Sequence, residues 1–314
     1  MSDRFADQIN RRQFLTIGLA VAGGAVTLQP DGEPADAQRS EKDFTRWAFL
    51  SDTHIGARPG VRFRGFYPHQ NLQRTTDQIG AALPDGLVIT GDLTRSRGSV
   101  EAYENVKALL APIAERRPIH LGIGNHDNRD NFLRAFAPSR GCGNGLRNRH
   151  IIATDAGPVR LVVLDTHLYS NVFPGLLGKL QRIWLETFLE ASDDKPTLLF
   201  LHHSPRADLL DAGRLLDIIA PARKVKAVIF GHSHKYKFST FDGVHFINLP
   251  AVGYNFTGAQ PVGWVEARLT GAGGEFILHA VGGNRNRHGR VTTVRWRTQS
   301  AAKPATAQMI TGLA

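Results

Sequence analysis

The stretch Trp47-Ala48-Phe49-Leu50-Ser51-Asp52-Thr53-His54 decides how this chain is read. A short apolar run, Trp47–Leu50, is followed at once by Asp52 and His54, two metal-ligating side chains two residues apart. At a strand end the period-two geometry sends both to one side. Outward from this stretch the same device recurs in a fixed order. Gly91-Asp92 follows Leu87–Thr90, and Gly124-Asn125-His126-Asp127 follows the mixed run Ile119–Ile123. His202-His203-Ser204-Pro205 follows Thr197–Leu201, and Gly231-His232-Ser233-His234 follows Val228–Phe230. Apolar runs of this length, alternating with longer amphipathic stretches, read as a sheet covered by helices, an α/β domain with its ligand site beyond the strand ends.

Each block offers a particular donor. The glycine before Asp92 allows close backbone approach, and the two oxygens of Asp92 can bridge two ions. Asn125 offers a neutral amide oxygen; His202, His232 and His234 offer imidazole nitrogens. Oxygen and nitrogen donors without a thiolate suit borderline divalent ions: Mn, Fe, Zn, Co or Ni. One ion could not use them all and keep an open position, so two divalent metal ions are expected. Isolated histidines such as His69, His150, His245 and His279 read instead as hydrogen-bonded core or surface residues.

A length of 314 residues fits one large globular domain, and 42% hydrophobic content argues against disorder. The lone cysteine, Cys142, excludes an intrachain disulfide and any Cys-based zinc cluster and reads as a loop thiol. The chain is basic, with 38 Lys+Arg against 28 Asp+Glu. Without residues 1–37, which hold three Arg and five acids, the balance is 35 against 23, or +12. Such a field favours anionic partners, nucleic acid among them, or simply solvates the surface.

As an ordered set, Asp-x-His, Gly-Asp, Gly-Asn-His-Asp, His-His-x-Pro and Gly-His-x-His resemble the signature of the calcineurin-like metallophosphoesterase superfamily, over roughly Trp47 to Pro250. The resemblance implies a four-layer αββα sandwich of two mixed β-sheets flanked by helices. It also implies roles. The first ion would take Asp52, His54, Asp92 and His234; the second would take Asp92 as bridge, Asn125, His202 and His232. The family ligates through the first histidine of the adjacent pair, so His202 is assigned and His203 is left as its neighbour. In such enzymes the residue at His126 contacts phosphate or protonates the leaving group. Asp127 then either fixes the His126 tautomer or caps a helix over Asn128–Ala135. Two divalent cations, two aspartates and a bridging hydroxide leave about +1 facing the substrate, which attracts a phosphate ester and still supplies a nucleophile.

Purple acid phosphatases carry Asp-x-Gly in the first block and a tyrosine three residues beyond the bridging aspartate, where this chain has His54 and Arg95. The blocks, with the segment Gly178–Leu185, are more similar to bacterial cyclic-nucleotide phosphodiesterases and glycerophosphodiesterases. A small phosphorylated substrate, a nucleotide or glycerophosphodiester, is therefore expected, and Trp184 is expected in the core. Arg58, Arg62 and Arg64, interleaved with Phe63, Phe66 and Tyr67, follow the first block; Arg95 and Arg97 follow the second. Arginine can hold a phosphate oxygen and an aromatic can stack on a base, or the same residues can solvate a loop.

Beyond His234, Phe238–Leu249, Val262–Leu269 and Glu275–Val281 read as strands that extend a second sheet, joined by turns such as Asp242-Gly243. Tyr254 and Asn255 fall between the first two of these and read as a plain turn ahead of a loop that reaches the cleft. Val291–Arg297 alternates as an edge strand, with Val294 and Trp296 on one face and Arg295 and Arg297 on the other. The phosphoesterase domain is thus expected over 38–298, followed by a poorly ordered Ala/Thr-rich tail over 299–314.

At the other end, Arg11-Arg12-Gln13-Phe14-Leu15 leads into an apolar run to Leu28 and then Ala35-Asp36-Ala37. This resembles a twin-arginine export signal over residues 1–37, cleaved after Ala37, which implies passage of the folded protein through the twin-arginine machinery to a periplasmic or secreted location. The run spans 15 residues with three glycines, too short and mild for a stable membrane span. The reading is an exported binuclear-metal hydrolase, a phosphodiesterase ahead of a phosphomonoesterase or nuclease. The alternative from another class is a non-catalytic, metal-dependent binder of phosphorylated ligands.

Overall fold

Along β1 (Phe44–Leu50), side chains alternate between two apolar destinations: Trp47 and Phe49 enter one buried cluster, Ala48 and Leu50 another. A strand covered on both faces must be apolar throughout, which is why such strands are legible as runs. The computed structural model describes residues 43–136, 146 and 149–298. The readings for residues 1–37, for Cys142 and for residues 299–314 fall outside the described residues.

The strands form two mixed sheets of six. The first has the order β12 (Val291–Arg295), β11 (Gly273–Gly283), β10 (Pro261–Thr270), β1, β2 (Gly86–Ile89), β3 (Ile119–Leu121). Strands β1, β2 and β3 run parallel, while β10 pairs antiparallel with both β1 and β11. The second has the order β4 (Ile152–Ala156), β5 (Val159–Val163), β6 (Thr197–Phe200), β7 (Val225–Phe230), β9 (Val244–Asn248), β8 (Lys237–Phe241). Its centre, β5-β6-β7-β9, is parallel, with antiparallel strands at both edges.

Three apolar layers hold four structural layers together. Phe49, Val88, Leu161, Phe200, Val265 and Phe276 fill the space between the sheets, where Phe49 meets Phe200 edge-on at 4.9 Å. Helices α1 (Pro68–Ala82), α2 (Val100–Ala114) and α3 (Arg129–Ala135) cover the outer face of the first sheet through Leu72, Val106, Leu110 and Phe132. Helices α4 (Lys179–Ala191) and α5 (Ala212–Ile219) cover the second through Leu185, Leu189, Leu215 and Ile219. This is the expected αββα sandwich. Trp184 is half-buried against the outer cluster of the second sheet, stacked on Phe188 at 5.0 Å. Among the described residues no helix is long and apolar enough to cross a membrane.

Two expectations are corrected. Strands β8 and β9 extend the second sheet, but β10, β11 and β12 join the first, beginning with the β1–β10 pairing over Phe44–Phe49. Their inward residues Val265, Ala267 and Leu269 lie in the cluster shared by both sheets, so hydrophobicity alone does not choose the sheet. The last strand ends at Arg295, and Arg297 does not share the exposed face of Arg295. It is buried, and its guanidinium donates to the carbonyls of Ile219, Ala222 and Val225 at 2.7, 2.8 and 3.0 Å, which anchors the end of the domain on α5 and β7.

Candidate metal centre

The parallel strands of both sheets end on one rim, and the chain turns sharply as it leaves them. Asp52 and His54 after β1, Asp92 after β2, and His232 and His234 after β7 all have positive φ, between 49° and 67°. Such a conformation costs a non-glycine residue about 1–3 kcal/mol and persists only where neighbours hold it. Here Asp52 N donates to Gly91 O and His54 N to Asp92 O, both at 3.0 Å. Val252 N donates to Ser51 O at 3.0 Å and Gly253 N to Asp52 O at 2.9 Å, tying the second sheet to the first at the rim. Glycine is required where the turns pack: a Cβ at Gly124 would meet the Asp92 carboxylate, and one at Gly231 the Ser51 hydroxyl.

These turns bring the donors together. His54 Nε2 lies 2.9 Å from His234 Nε2, and Asp52 Oδ1 lies 3.3 Å from the same atom. Asp92 Oδ2 is shared, 3.8 Å from His54 Nε2 and 3.4 Å from His202 Nε2. His202 Nε2 is also 3.2 Å from Asn125 Oδ1. Among the described residues four overlapping groups could each hold an ion: Asp52, His54 and His234; His54, Asp92 and His126; Asp52, Asp92 and His202; His202, His203 and His232. Asp52 Oδ1 and His232 Nε2 are buried without a hydrogen-bond partner. Buried polar atoms rarely remain so, and a cation is what this donor set fits. The clusters are able to bind two metal ions. Of the adjacent histidines, His202 reaches Asp92 and Asn125, whereas His203 turns its Nδ1 to Thr166 Oγ1 at 2.8 Å.

Charge is arranged to suit cations. Burial would raise the carboxyl pKa of Asp92, but His202 and His54 outweigh it and hold the group well below the usual range. Asp52 is likewise lowered against its burial, chiefly by His234. Burial pushes His54 down to about 3 despite Asp92, and burial with His202 beside it pushes His232 down to about 4. His202 is the exception: burial opposes its charge, but Asp92 and Asp52 hold it up at about 9. The pocket therefore keeps Asp52 and Asp92 ionised and His54 and His232 neutral, with one proton on His202 to be released when a cation enters.

The structure places His126 at the edge of this group, half-buried, its backbone N donating to Asp92 Oδ1 at 2.8 Å. Asp127 is corrected on both readings. It neither touches the His126 ring nor caps α3, whose cap is Asn128 accepting from Asn131 N. Its fully buried carboxylate accepts from Gly124 N, Thr94 N and Leu93 N at 2.9, 3.1 and 3.2 Å, and from Tyr103 Oη at 3.1 Å. Burial and Asp92 raise its pKa to about 6 against those donors. The partner of His126 is instead Asn171, whose Oδ1 lies 3.0 Å from Nδ1 while its own backbone N donates to Asn125 O at 2.6 Å.

Sequence reasoning missed Asn171 and, for Tyr254, placed the plain turn ahead of the cleft. Tyr254 is buried, stacks on His54 at 4.7 Å, and accepts at its carbonyl from His234 Nδ1 at 2.7 Å, which leaves Nε2 available to an ion. A signal was available, since Gly253-Tyr254-Asn255 follows the apolar exit of β9 as the other blocks follow their strands. Phe256 stacks on His234 at 4.3 Å and Phe173 packs on His232 at 4.5 Å, completing an aromatic collar.

An αββα sandwich with a two-ion site of carboxylate, imidazole and amide donors on its strand-end rim defines a class of metal-dependent hydrolases. Over residues 45–236 the chain matches the calcineurin-like phosphoesterase family, and it belongs to that family. It is 29% identical over 208 residues to a probable cyclic nucleotide phosphodiesterase of Rhodococcus erythropolis, covering 62% of this chain and 66% of that one. It is 28% identical over 197 residues to the 3′,5′-cyclic adenosine monophosphate phosphodiesterase of Pseudomonas aeruginosa, covering 59% and 68%. It is 29% identical over 199 residues to a probable glycerophosphodiester phosphodiesterase of Arcobacter nitrofigilis, covering 59% and 70%. The chain thus spans about two thirds of the length of these relatives. In fold it is similar to a dimetal phosphatase from Danio rerio, with TM-score 0.63 and 18% identity over 81% of this chain and 99% of that one. A purple acid phosphatase from yellow lupin seeds follows, with TM-score 0.58 and 17% identity over 80% and 54%.

Proposed function

We propose that this chain is an exported phosphodiesterase that hydrolyses small phosphodiesters, of the cyclic-nucleotide or glycerophosphodiester kind, with two divalent ions. The observation that carries the reading is the shared position of Asp92 Oδ2 between His54 and His202, which joins two donor groups into one centre. Asp52, His54, Asp92 and His234 would hold one ion, and Asp92, Asn125, His202 and His232 the other. When bound, such a pair supplies a nucleophile at neutral pH and positive charge for the phosphoryl oxygens.

The chain's own side chains supply the rest. Nδ1–H of His126 donates to Asn171 Oδ1, which leaves Nε2 facing the centre; there the imidazolium form carries the second proton and can give it to the departing alkoxide, a role worth typically ~10²–10⁴-fold. Asp127 acts through the backbone, gripping the N–H groups of Gly124, Leu93 and Thr94 so that the turns carrying Asn125 and Asp92 keep their spacing. A preference for diesters is favoured by the sequence similarity to phosphodiesterases acting on cyclic nucleotides and on glycerophosphodiesters.

The reaction is tested by parallel turnover of bis(p-nitrophenyl) phosphate and p-nitrophenyl phosphate after reconstitution with Mn, Zn, Fe, Co or Ni. Faster cleavage of the diester, abolished by Asn125→Ala, is expected; a faster monoester would make the protein a phosphatase. Export rests on the Arg11-Arg12 motif and the apolar run behind it. Changing both arginines to lysine should retain the protein in the cytoplasm of a bacterial host, and unchanged fractionation would remove the export claim.

A further inference from the structure

Beside the centre, on the His54 side, lies a cavity of about 270 Å³ whose polar lining is His54, Arg58, His69, Arg95, Ser96 and Ser99. It falls below the ~300–1,000 Å³ that encloses a whole small molecule, so it suits one group of a larger substrate. Among the described residues no carboxylate lines it. Some arginines elsewhere are neutralised, Arg46 by Glu266, Arg129 by Asp165, and Arg160 by Asp155 and Asp193. Arg58 and Arg95 form no ion pair among the described residues.

The cavity also takes in the start of a helix. Ser99 caps α2 by accepting from Ala102 N at 3.3 Å, and both residues line the space. The amide dipoles of a 15-residue helix thus add positive potential where the cations already converge. Glu101, in that first turn, is exposed and outside the lining. Arg95 rests on the Phe63 ring at 4.9 Å, so its guanidinium is already held and less freedom is lost on binding an anion.

We propose that this cavity binds a second phosphate group of the substrate, making the protein selective for small phosphodiesters that carry a further phosphate. The inference rests on the phosphodiesterase reading and narrows its substrate class. A compact cavity with two arginines and the amide end of a helix fits one dianionic group. A nucleic-acid strand would need a track of contacts several nucleotides long.

The test uses the full chain reconstituted with Mn and two substrates, thymidine 5′-(p-nitrophenyl phosphate) with and without a 3′-phosphate. The 3′-phosphate is expected to lower KM about tenfold in the wild type, the scale of one charge-assisted pair. Arg58→Ala/Arg95→Ala should erase the difference, and Arg95→Lys, which keeps charge and loses the fork, should retain part of it. Equal KM values in the wild type overturn the proposal. Calorimetry of thymidine 3′,5′-bisphosphate against thymidine 5′-monophosphate reads the same subsite without turnover, and equal affinities overturn it there too. Failure of the phosphodiesterase reading is separately visible, as no cleavage of bis(p-nitrophenyl) phosphate with both ions bound. Displacement of the bisphosphate by a lower concentration of oligothymidylate would overturn the small-molecule assignment in favour of nucleic acid.

Discussion

His126 owes its orientation to a residue 45 positions away, Asn171, whose amide oxygen engages Nδ1 and whose backbone clamps Asn125. Asn171→Ala should therefore lower kcat about tenfold with little change in KM. The loss should be larger for an alkyl leaving group, which needs protonation, than for p-nitrophenolate, which does not. Parallel kinetics on the two esters check this, and a uniform loss would reduce Asn171 to a structural role. The residue scale also shows where sequence misleads. Asp-Thr-His occurs twice after an apolar strand, at Asp52–His54 and at Asp165–His167. Among the described residues, only the first has its aspartate in a cluster that could hold an ion. Asp165 accepts instead from Arg129 Nε and Nη2 at 3.1 and 3.0 Å and lies 3.8 Å from Arg149 Nη1. Which copy joins the donor cluster was legible only from the ordered company of Asp92, Asn125, His202 and His232, because a lone triplet carries no long-range information.

The connection from Asp165 to Gly175 works as a strap across the mouth of the sandwich. His167 Nε2 pairs with Asp127 O at 3.1 Å and Ser170 Oγ donates to it at 2.7 Å, while Thr166 meets His203 and Phe173 covers His232. Its anchor is the ion pair of buried Asp165 with half-buried Arg129. Asp165→Ala leaves two guanidiniums without their carboxylate and should destabilise the fold by about 3–5 kcal/mol, measurable as a lower urea midpoint at unchanged slope. At this scale the sequence was uneven in what it showed. Doubly buried strands such as β2, β6 and β7 stand out as apolar runs, and their exits carry the donors. Edge strand β4, Ile-Ala-Thr-Asp-Ala, is half exposed and has no such signature, and the strap is polar loop whose register is set only by its distant partners.

For the molecule as a whole, pH acts through its buried histidines. Burial, with Arg129 beside it, holds His167 down at about 4, whereas the unfolded chain keeps the ordinary value near 6.5. Above that value neither state takes up a proton on this ring. As pH falls toward 4 only the unfolded chain does, so stability declines by on the order of 1–3 kcal/mol and then levels off. Thermal midpoints of wild type and His167→Gln across this range should converge as pH falls, because the variant lacks that term. A last consequence concerns how the ions arrive. Five of the donor residues sit in left-handed turns already pinned by backbone hydrogen bonds and packed glycines, so the protein has little left to arrange when an ion enters. Loading should then run at the pace at which each hydrated ion sheds its own water. In stopped-flow mixing, nickel, whose hydration shell exchanges most slowly among the five candidate metals, should enter last.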